Sequence, residues 1–325
     1  MPEQDARPGR SCPTSYRYGP EALRHCAEIE ADTLYVAGGL YGNRLALEAL
    51  LDLAARDSGA RLVFNGDFNW FDIDPADFRE VNRTVLKHHA TRGNVETELA
   101  LPAAGAGCGC AYPDWVGDAE VERSNRILER LRETAAAQRE LTSLLGALPA
   151  FLAARVGDVR IGIVHGDGES LSGWGFSQEV LATESGRVGA RASLAAAGVH
   201  IFASSHTCLP VLQSFDDAGG ERAIANNGAA GMPNFSGTRF GLATRISVNP
   251  ASRARAYGVR VAGLHVDAVR IDYDAPAWES RFLASWPAGT DAHASYHGRL
   301  RDGPGYAQTQ ALRGAGRVRC VNRTV

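Results

Sequence analysis

Residues 61–67 read Arg-Leu-Val-Phe-Asn-Gly-Asp, a short apolar run that ends in a glycine and a carboxylate. Leu62–Phe64 are residue types that favour strands, and Gly66 interrupts the run. The pattern predicts a buried strand that places Asp67 at its carboxyl end, the edge of an α/β sheet where ligands and metals bind. A Gly-Asp pair after a strand is more often only a turn, so this interpretation needs support from elsewhere in the chain.

Three further strand-like runs end in the same way, each just before a polar side chain. These side chains are Asn94, His165 and His206, after runs that begin at residues 90, 161 and 201. With Asp67 they form a plausible ligand set for a divalent metal, because carboxylate, amide oxygen and imidazole are all common metal donors.

The composition is that of a globular protein. The 325 residues are 45% hydrophobic and 22% charged, enough for one large α/β domain or two small ones. The formal net charge of -3 gives no basic field for nucleic acid. The first ten residues lack an apolar signal core, and no apolar run is long enough to span a bilayer. We therefore expect a cytoplasmic protein with neither a nucleic-acid nor a membrane partner.

The six cysteines do not indicate a disulfide framework, because the chain is long and carries no secretion signal. Cys108 and Cys110 are the only close pair, and they lack the two-residue spacing of a zinc knuckle. A loop of small residues is the favoured interpretation of this stretch. A soft metal site or a redox pair is the alternative.

The first predicted strand, Thr33–Ala37, is followed by the glycine-rich turn 38–43 and by a helix over residues 44–55. A glycine-rich turn between strand and helix suggests phosphate or dinucleotide binding. However, neither Gly-x-Gly-x-x-Gly nor a P-loop is matched. The alternative is that the glycines only permit tight packing.

Capping and periodicity predict the remaining elements. Asp74-Pro75 begins a helix that ends near His88-His89, and Asp118 begins a long helix that runs to about Leu145. Gly157-Asp158 predicts a hairpin. Residues 170–198 are expected to be helical, and the second half of the chain is otherwise rich in β-structure, with strands near residues 201–205, 211–215, 222–225, 244–248 and 264–273 and a short helix near 278–285.

The predicted organisation is one central domain with two extensions. Residues 1–30 form an appended arm, in which 20–29 is a candidate short helix. Residues 31–275 form the domain, with a helical elaboration over about 118–150. Residues 276–325 supply a C-terminal helix and a polar tail that we expect to be partly mobile.

From about Thr33 to Tyr273, five short motifs resemble in order those of the calcineurin-like metallophosphoesterase superfamily. The matches are Gly39-Leu40-Tyr41, Gly66-Asp67-Phe68-Asn69-Trp70, Gly93-Asn94-Val95-Glu96, His165-Gly166-Asp167 and Ser205-His206-Thr207-Cys208. Leu209-Pro210 and residues 226–231 look like the bacterial single-domain branch. The resemblance implies an α/β fold, a four-layer α-β-β-α sandwich of two mixed sheets flanked by helices.

The departures from the family pattern fall on the ligand positions of one of the two metal ions. The resemblance implies that one ion would be held at positions 39, 41, 67 and 208, where this chain has Gly39, Tyr41, Asp67 and Cys208, so three of the four positions have changed. It implies that the other ion is held by an intact set, Asp67, Asn94, His165 and His206. We therefore expect a degenerate first metal site and a single divalent ion, Mn, Fe or Zn.

The resemblance supports the catalytic residues less well than it supports the metal ligands. The histidine of the third family motif is replaced by Val95. Glu96 and Asp167 are the candidate acid or base residues, and for both we favour the alternative, a hydrogen-bond acceptor that supports a ligand. Asn94 and Asn227 are the candidate substrate contacts.

Tyr41 and Cys208 allow three interpretations. They fill the vacated first site, which we favour, or they form a softer iron or zinc site as phenolate and thiolate, or Cys208 is a nucleophile beside His206.

The sequence thus favours a hydrolase that acts on a small phosphomonoester or phosphodiester through one metal. The main alternative is a catalytically inactive protein of the same fold that binds a phosphorylated ligand or a protein partner. Non-hydrolytic chemistry at a single iron is the least favoured. The expected partner is a small phosphorylated molecule, and a homo-oligomer is an arrangement that the sequence allows.

Overall fold

The computed structural model of the chain describes residues 7–251, 254–314 and 317–318. The start of the arm, residues 1–6, and the end of the tail, from residue 319, lie outside the described residues. The expectation of a mobile tail therefore stays a prediction, as does the division of the chain at residues 30 and 275.

Within the described residues the strands form two seven-stranded sheets, which we call sheet 1 and sheet 2. In spatial order, sheet 1 contains β1 (Glu28–Ala31), β5 (Phe151–Val156), β6 (Val159–Val164), β7 (Ile201–Ser204), β9 (Gly220–Asn226), β8 (Val211–Asp217) and β13 (Leu312–Arg313). Sheet 2 contains β14 (Arg317–Val318), β11 (Arg255–Val261), β12 (Leu264–Ile271), β10 (Gly241–Ser247), β2 (Thr33–Ala37), β3 (Arg61–Asn65) and β4 (His89–Thr91).

Both sheets are mixed. In sheet 2, β2, β3 and β4 run parallel, and β10 pairs with β2 antiparallel. In sheet 1, β6 and β7 run parallel, and β5 and β6 form the antiparallel hairpin predicted at Gly157-Asp158. Because β3, β6 and β7 end at the same side of the molecule, the polar residues that follow them come together.

Helices cover the outer faces of both sheets. They are α1 (Arg44–Ala55), α2 (Pro75–Val85), α3 (Asn94–Ala100), α4 (Asp118–Ala136), α5 (Arg139–Ala147), α6 (Gln178–Ala182), α7 (Glu184–Ala197), α8 (Ala275–Ser285) and α9 (Asp291–Asp302). Three short 3₁₀ helices lie at Thr14–Tyr16, Pro20–His25 and Gln308–Gln310.

Alternation along the strands explains the layers. Leu34 and Val36 of β2 face the apolar core between the two sheets, whereas Tyr35 and Ala37 face the helices outside sheet 2. Phe202 of β7 faces a third core beneath α6 and α7. The α-β-β-α sandwich expected from the sequence is therefore confirmed.

Three local predictions need correction. The long helix predicted over 118–145 is interrupted after Ala136, because Gln138 leaves the helical conformation with φ of -122° and ψ of 47°. The break lets Leu141 and Leu145 of α5 return to the core.

In the arm, a 3₁₀ helix and strand β1 replace the expected helix over 20–29, since β1 adds to the edge of sheet 1 beside β5. The helical prediction for 170–198 fails at 170–177, where the backbone amides of Ser170 and Gly175 donate to the Asp167 carboxylate, and it holds in α6 and α7. Strand β11 and helix α9 were not predicted.

Candidate metal centre

Loops at the carboxyl ends of strands from both sheets meet at one point. The Asn65 side chain in β3 donates to the Val164 carbonyl in β6 over 2.9 Å, which ties the two strand ends together. Asp67 follows β3, and His165 and His206 follow β6 and β7. Histidine, cysteine, aspartate and glutamate side chains can each offer a ligand atom to a metal. Among the described residues, one group of at least three such side chains has all its ligand atoms within 4.8 Å of one another, and it consists of Asp67, His165 and His206.

Asn94 completes the four-residue set expected from the sequence. Its Oδ1 lies 3.0 Å from His165 Nε2, while its Nδ2 donates to the Cys108 carbonyl. His165 Nε2 lies 3.1 Å from His206 Nδ1 and 3.4 Å from Asp67 Oδ1. All four side chains are buried. The structure therefore brings all four predicted ligands together.

The ring orientations follow from the backbone carbonyls behind them. His165 Nδ1 lies 2.8 Å from the Asn65 carbonyl, and His206 Nε2 lies 3.0 Å from the Cys110 carbonyl. A carbonyl only accepts hydrogen bonds, so each of these nitrogens carries its proton, and each opposite nitrogen presents a lone pair. Carbonyls that fix a histidine tautomer from behind are a regular feature of metal sites.

It follows that the cluster presents four acceptors to one another and no donor. The two facing nitrogens, the Asp67 carboxylate and the Asn94 amide oxygen repel unless a positive charge lies between them. The donor set of two imidazoles, one carboxylate and one amide oxygen suits Mn²⁺, Fe²⁺ or Zn²⁺. The residues present thus fit the divalent ion that the fold family implies.

Electrostatics in the cluster agree with this assignment. Burial, reinforced by the neighbouring His165, lowers the pKa of His206 to about 3, so its imidazole is neutral. Burial would lower the pKa of His165 as well, but the Asp67 carboxylate outweighs it and holds that pKa above its usual value. In the absence of a metal ion, a proton on His165 Nε2 would supply the positive charge that the facing acceptors need.

Two glycines make the close approach of these loops feasible. A Cβ on Gly66 would lie 2.6 Å from the backbone of Gly93 and from His165 Nδ1. A Cβ on Gly93 would lie 2.3 Å from Asp67 Oδ1. Asp67 itself has φ of 55°, a left-handed conformation that costs a non-glycine residue ~1–3 kcal/mol and is typical of functional sites.

Glu96 stabilises that conformation. Its carboxylate accepts hydrogen bonds from the backbone amides of Asp67 (2.7 Å), Phe68 (3.0 Å) and Gly93 (2.9 Å), and from the Asn69 side chain (3.2 Å). Burial and the nearby Asp67 raise the pKa of Glu96 to about 7. This geometry favours the interpretation of Glu96 as a supporting acceptor over that of an acid or base that reaches a substrate.

The other two weaker candidates also point into the protein. The Asp167 carboxylate accepts from the amides of Glu169, Ser170 and Gly175, so it organises its own loop. Asn227 is buried, and its side chain donates to the carbonyls of Gly38 and Leu242. Neither side chain lines the cavity at the metal cluster, and the geometry favours structural roles for both.

Tyr41 and Cys208 lie beside the cluster and bond to each other. The Tyr41 hydroxyl lies 2.9 Å from Cys208 Sγ. Burial raises the pKa of both groups, so they are a neutral phenol and thiol. A Cβ on Gly39 would lie 2.9 Å from the Tyr41 hydroxyl oxygen. The tyrosine therefore occupies the space that an aspartate at position 39 would need, and the two departures from the family pattern are physically coupled.

A cavity of about 160 Å³ opens beside Asp67, Asn94 and His206. Much of its lining was missed by sequence reasoning, namely Trp70, Cys110, Tyr112, Glu120, Trp174, Thr207 and Tyr296. Trp70 and Thr207 fall inside motifs that the sequence singled out, and Cys110 belongs to the close cysteine pair. The other four come from separate loops and helices and carry no local signal.

The N-terminal arm supports the cavity from outside. Gly9 and the loop 106–112 exchange backbone hydrogen bonds, from Gly9 to the Ala106 carbonyl and from Tyr112 to the Gly9 carbonyl, each 2.8 Å. Arg10 donates to the carbonyls of Pro113 (2.9 Å) and Val116 (2.6 Å). The same loop supplies the Cys108 and Cys110 carbonyls that fix Asn94 and His206.

Solved structures share this architecture. A metallophosphoesterase from Sphaerobacter thermophilus is 18% identical over 84% of this chain and 100% of that chain, with a TM-score of 0.52. A hypothetical protein from Pyrococcus horikoshii OT3 is 17% identical over 85% of this chain and 100% of that chain, with a TM-score of 0.56. No protein-family model matches the sequence, and no curated protein is significantly similar to it.

The chain therefore has the fold of the calcineurin-like metallophosphoesterases, as its motifs predicted. At these identities the comparison establishes the fold alone. Among the described residues, none of the helices combines the length and the apolar character needed to cross a bilayer.

Proposed function

We propose that this protein is a metal-dependent phosphoesterase that holds one divalent cation between Asp67, Asn94, His165 and His206. Its substrate would be a small phosphomonoester or phosphodiester. The single observation that carries the proposal is the convergence of four acceptor atoms without a donor, with both imidazoles fixed from behind by carbonyls. A divalent cation satisfies all four acceptors at once.

A divalent ion bound there would supply positive charge to the phosphoryl group and activate water for attack. The protein's own residues hold the ligand atoms in place and admit the ester through the adjacent cavity. Glu96 keeps Asp67 in its strained conformation, and Trp174 donates to the Cys110 carbonyl over 2.9 Å, beside the bond from His206. These contacts preorganise the ligands before the substrate arrives.

A single ion is proposed because the neighbouring position offers no comparable set. Tyr41 is buried, Cys208 is partly buried, both are protonated and bonded to each other, and Gly39 has no side chain to contribute. Each group already has a partner, so nothing in this half of the site needs a second cation.

One observation favours a second candidate function, the binding of a phosphorylated ligand or a protein partner without turnover. Val95 stands where the family has a proton-donating histidine, and the carboxylates of Glu96 and Asp167 are engaged by backbone amides. A proton donor of that kind is worth ~10²–10⁴-fold in rate. A slow enzyme and an inactive binding protein are therefore the two outcomes to separate.

Metal content and hydrolysis, measured on the same preparation, distinguish a slow enzyme from an inactive binding protein. We expect about one Mn, Fe or Zn per chain, and metal-dependent release of 4-nitrophenol from bis(4-nitrophenyl) phosphate or 4-nitrophenyl phosphate. Both should be lost in Asp67→Ala. A protein that binds one metal and cleaves no ester in a broad panel would support the binding function, whereas a protein that binds no divalent metal would overturn both.

A further inference from the structure

The lining of the cavity beside the metal cluster is unusually rich in aromatic rings. Five of its side chains are aromatic, Tyr41, Trp70, Tyr112, Trp174 and Tyr296. None of the described residues that line it is lysine or arginine, and its one carboxylate besides Asp67 is Glu120. The cavity therefore offers π surface and negative charge, and no second site for an anion.

The polar tips of three of these rings are engaged with protein groups. The Tyr41 hydroxyl bonds to Cys208, the Tyr112 hydroxyl lies 3.0 Å from Ser124 Oγ, and the Trp174 indole donates to the Cys110 carbonyl. What these rings offer to an occupant is mainly their carbon surface. Electron-rich ring surface of this kind attracts cations, and aromatic cages are a common way to bind methylated ammonium groups.

Trp70 adds its ring to the same surface. Its side chain is buried and lines the cavity. Burial raises the pKa of the Tyr296 phenol, and the nearby Trp70 Nε1 opposes that rise as a hydrogen-bond donor, although the contact falls outside strict hydrogen-bond geometry. The position of the anionic end of a ligand is therefore set by the metal cluster alone.

The two ends of the cavity come from different elements. Asp67, Trp70 and His206 follow strands of the sheets, whereas Glu120 lies in α4 and Tyr296 in α9. Glu120 pairs through Oε2 with Arg123 over 2.5 Å, and Arg123 in turn donates to Ser295, outside the lining. The volume of about 160 Å³ lies below the roughly 300–1,000 Å³ of sites for drug-sized ligands. The occupant is therefore small, anionic at one end, and cationic or neutral at the other.

We propose that the substrate of this site is a phosphoester of a small methylated ammonium alcohol, such as a choline ester, with its phosphoryl group at the metal cluster and its ammonium group among the aromatic rings beside Glu120. This inference rests on the proposed function for the chemistry of the phosphoryl end. The recognition of the ammonium group follows from the cavity lining and can be measured without turnover.

The decisive comparison uses choline and its uncharged isostere, 3,3-dimethyl-1-butanol, titrated into the Mn²⁺-loaded protein while the fluorescence of the cavity tryptophans is followed. We expect choline to bind roughly tenfold or more tightly, the difference that a desolvated cation–π contact supplies. Equal or tighter binding of the neutral alcohol would overturn the proposal, as would tighter binding of phenol, which would indicate an aryl ester instead.

Variants test which groups carry the selectivity. Tyr296→Leu should lose most of the preference for choline over the isostere, and Tyr296→Phe, which keeps the ring, should retain most of it. Glu120→Gln removes the carboxylate charge and its ion pair with Arg123 at a partly exposed position, and it should lower the preference about threefold. A preference unchanged in both Tyr296→Leu and Glu120→Gln would refute this placement of the ammonium group.

Hydrolysis of 4-nitrophenyl phosphate distinguishes the two proposals, since this small ester has no ammonium group. Hydrolysis without selective choline binding would uphold the proposed function and overturn the inference about the substrate. Selective choline binding without any hydrolysis would uphold the recognition of the ammonium group and contradict the phosphoesterase.

Discussion

The two halves of the site, which lie side by side at the same edge of the sandwich, satisfy their polar atoms in opposite ways. In the Asp67 half, four acceptors face one another, and their donors are turned outward to backbone carbonyls. In the Tyr41 half, a hydroxyl and a thiol each supply both a donor and an acceptor, and they bond to each other. The first half needs a positive charge from a metal ion or from a proton on His165, and the second half needs none. The hydrogen-bond pattern thus supports the proposal of one metal site beside a position that holds no ion.

Loss of a ligand from the Asp67 half should have the largest effect. A supporting partner of a metal ligand is worth 10–100-fold, and a ligand itself more, so His165→Ala should lower metal-dependent hydrolysis by at least ~10³-fold. The measurement is metal content per chain together with the rate on a 4-nitrophenyl ester. His25→Ala, at an exposed histidine, is the matched control and should change neither. Full metal content in His165→Ala would refute the ligand assignment.

Removal of the Glu96 carboxylate, which supports Asp67, should have the second-largest effect. Glu96→Ala leaves buried amide donors of Asp67, Phe68 and Gly93 without their acceptor, which should lower the free energy of unfolding by about 3 kcal/mol. Denaturant unfolding of the metal-free protein measures this directly. If stability were unchanged and only the rate fell, Glu96 would be a catalytic residue rather than a support.

The Tyr41 half should respond weakly. Tyr41→Phe removes one hydrogen bond to Cys208, worth about 1 kcal/mol, and should leave the metal content per chain unchanged. Elemental analysis beside the wild-type protein checks this. A fall in bound metal would show that the phenol is a ligand and that the two halves differ less than we describe.

The smallest effect should arise at the arm. Arg10→Ala removes hydrogen bonds to the Pro113 and Val116 carbonyls, and amide exchange in the loop 106–112 should become severalfold faster for a loss of about 1 kcal/mol. Arg301→Ala is the control, because that exposed arginine pairs with its neighbour Asp302. Unchanged exchange in Arg10→Ala would mean that the loop holds its shape unaided.

The strand ends were predictable because their signal is local. Strand-like runs that end at a polar side chain located Asp67, Asn94, His165 and His206 at the edge of the sheets, with a glycine directly before the first two. Capping at Asp74-Pro75 located α2. The order of these motifs was enough to indicate the sandwich fold.

What the sequence did not reveal depends on contacts between distant segments. The carbonyls of Asn65 and Cys110 fix the histidine tautomers, yet a backbone carbonyl looks the same at every position of a sequence. Trp174 and Tyr296 become neighbours of the metal cluster only after two loops and α9 have folded together. The break between α4 and α5 likewise has no glycine or proline that would signal it in the sequence.

The arm has a consequence for any work on the isolated domain. A deletion of residues 7–17 would leave every ligand in the chain, and it would nevertheless release the loop whose carbonyls hold Asn94 and His206. We expect such a truncated protein to bind the proposed cation more weakly. Residues 7–17 would then act on the proposed coordination shell from a distance, through the loop 106–112.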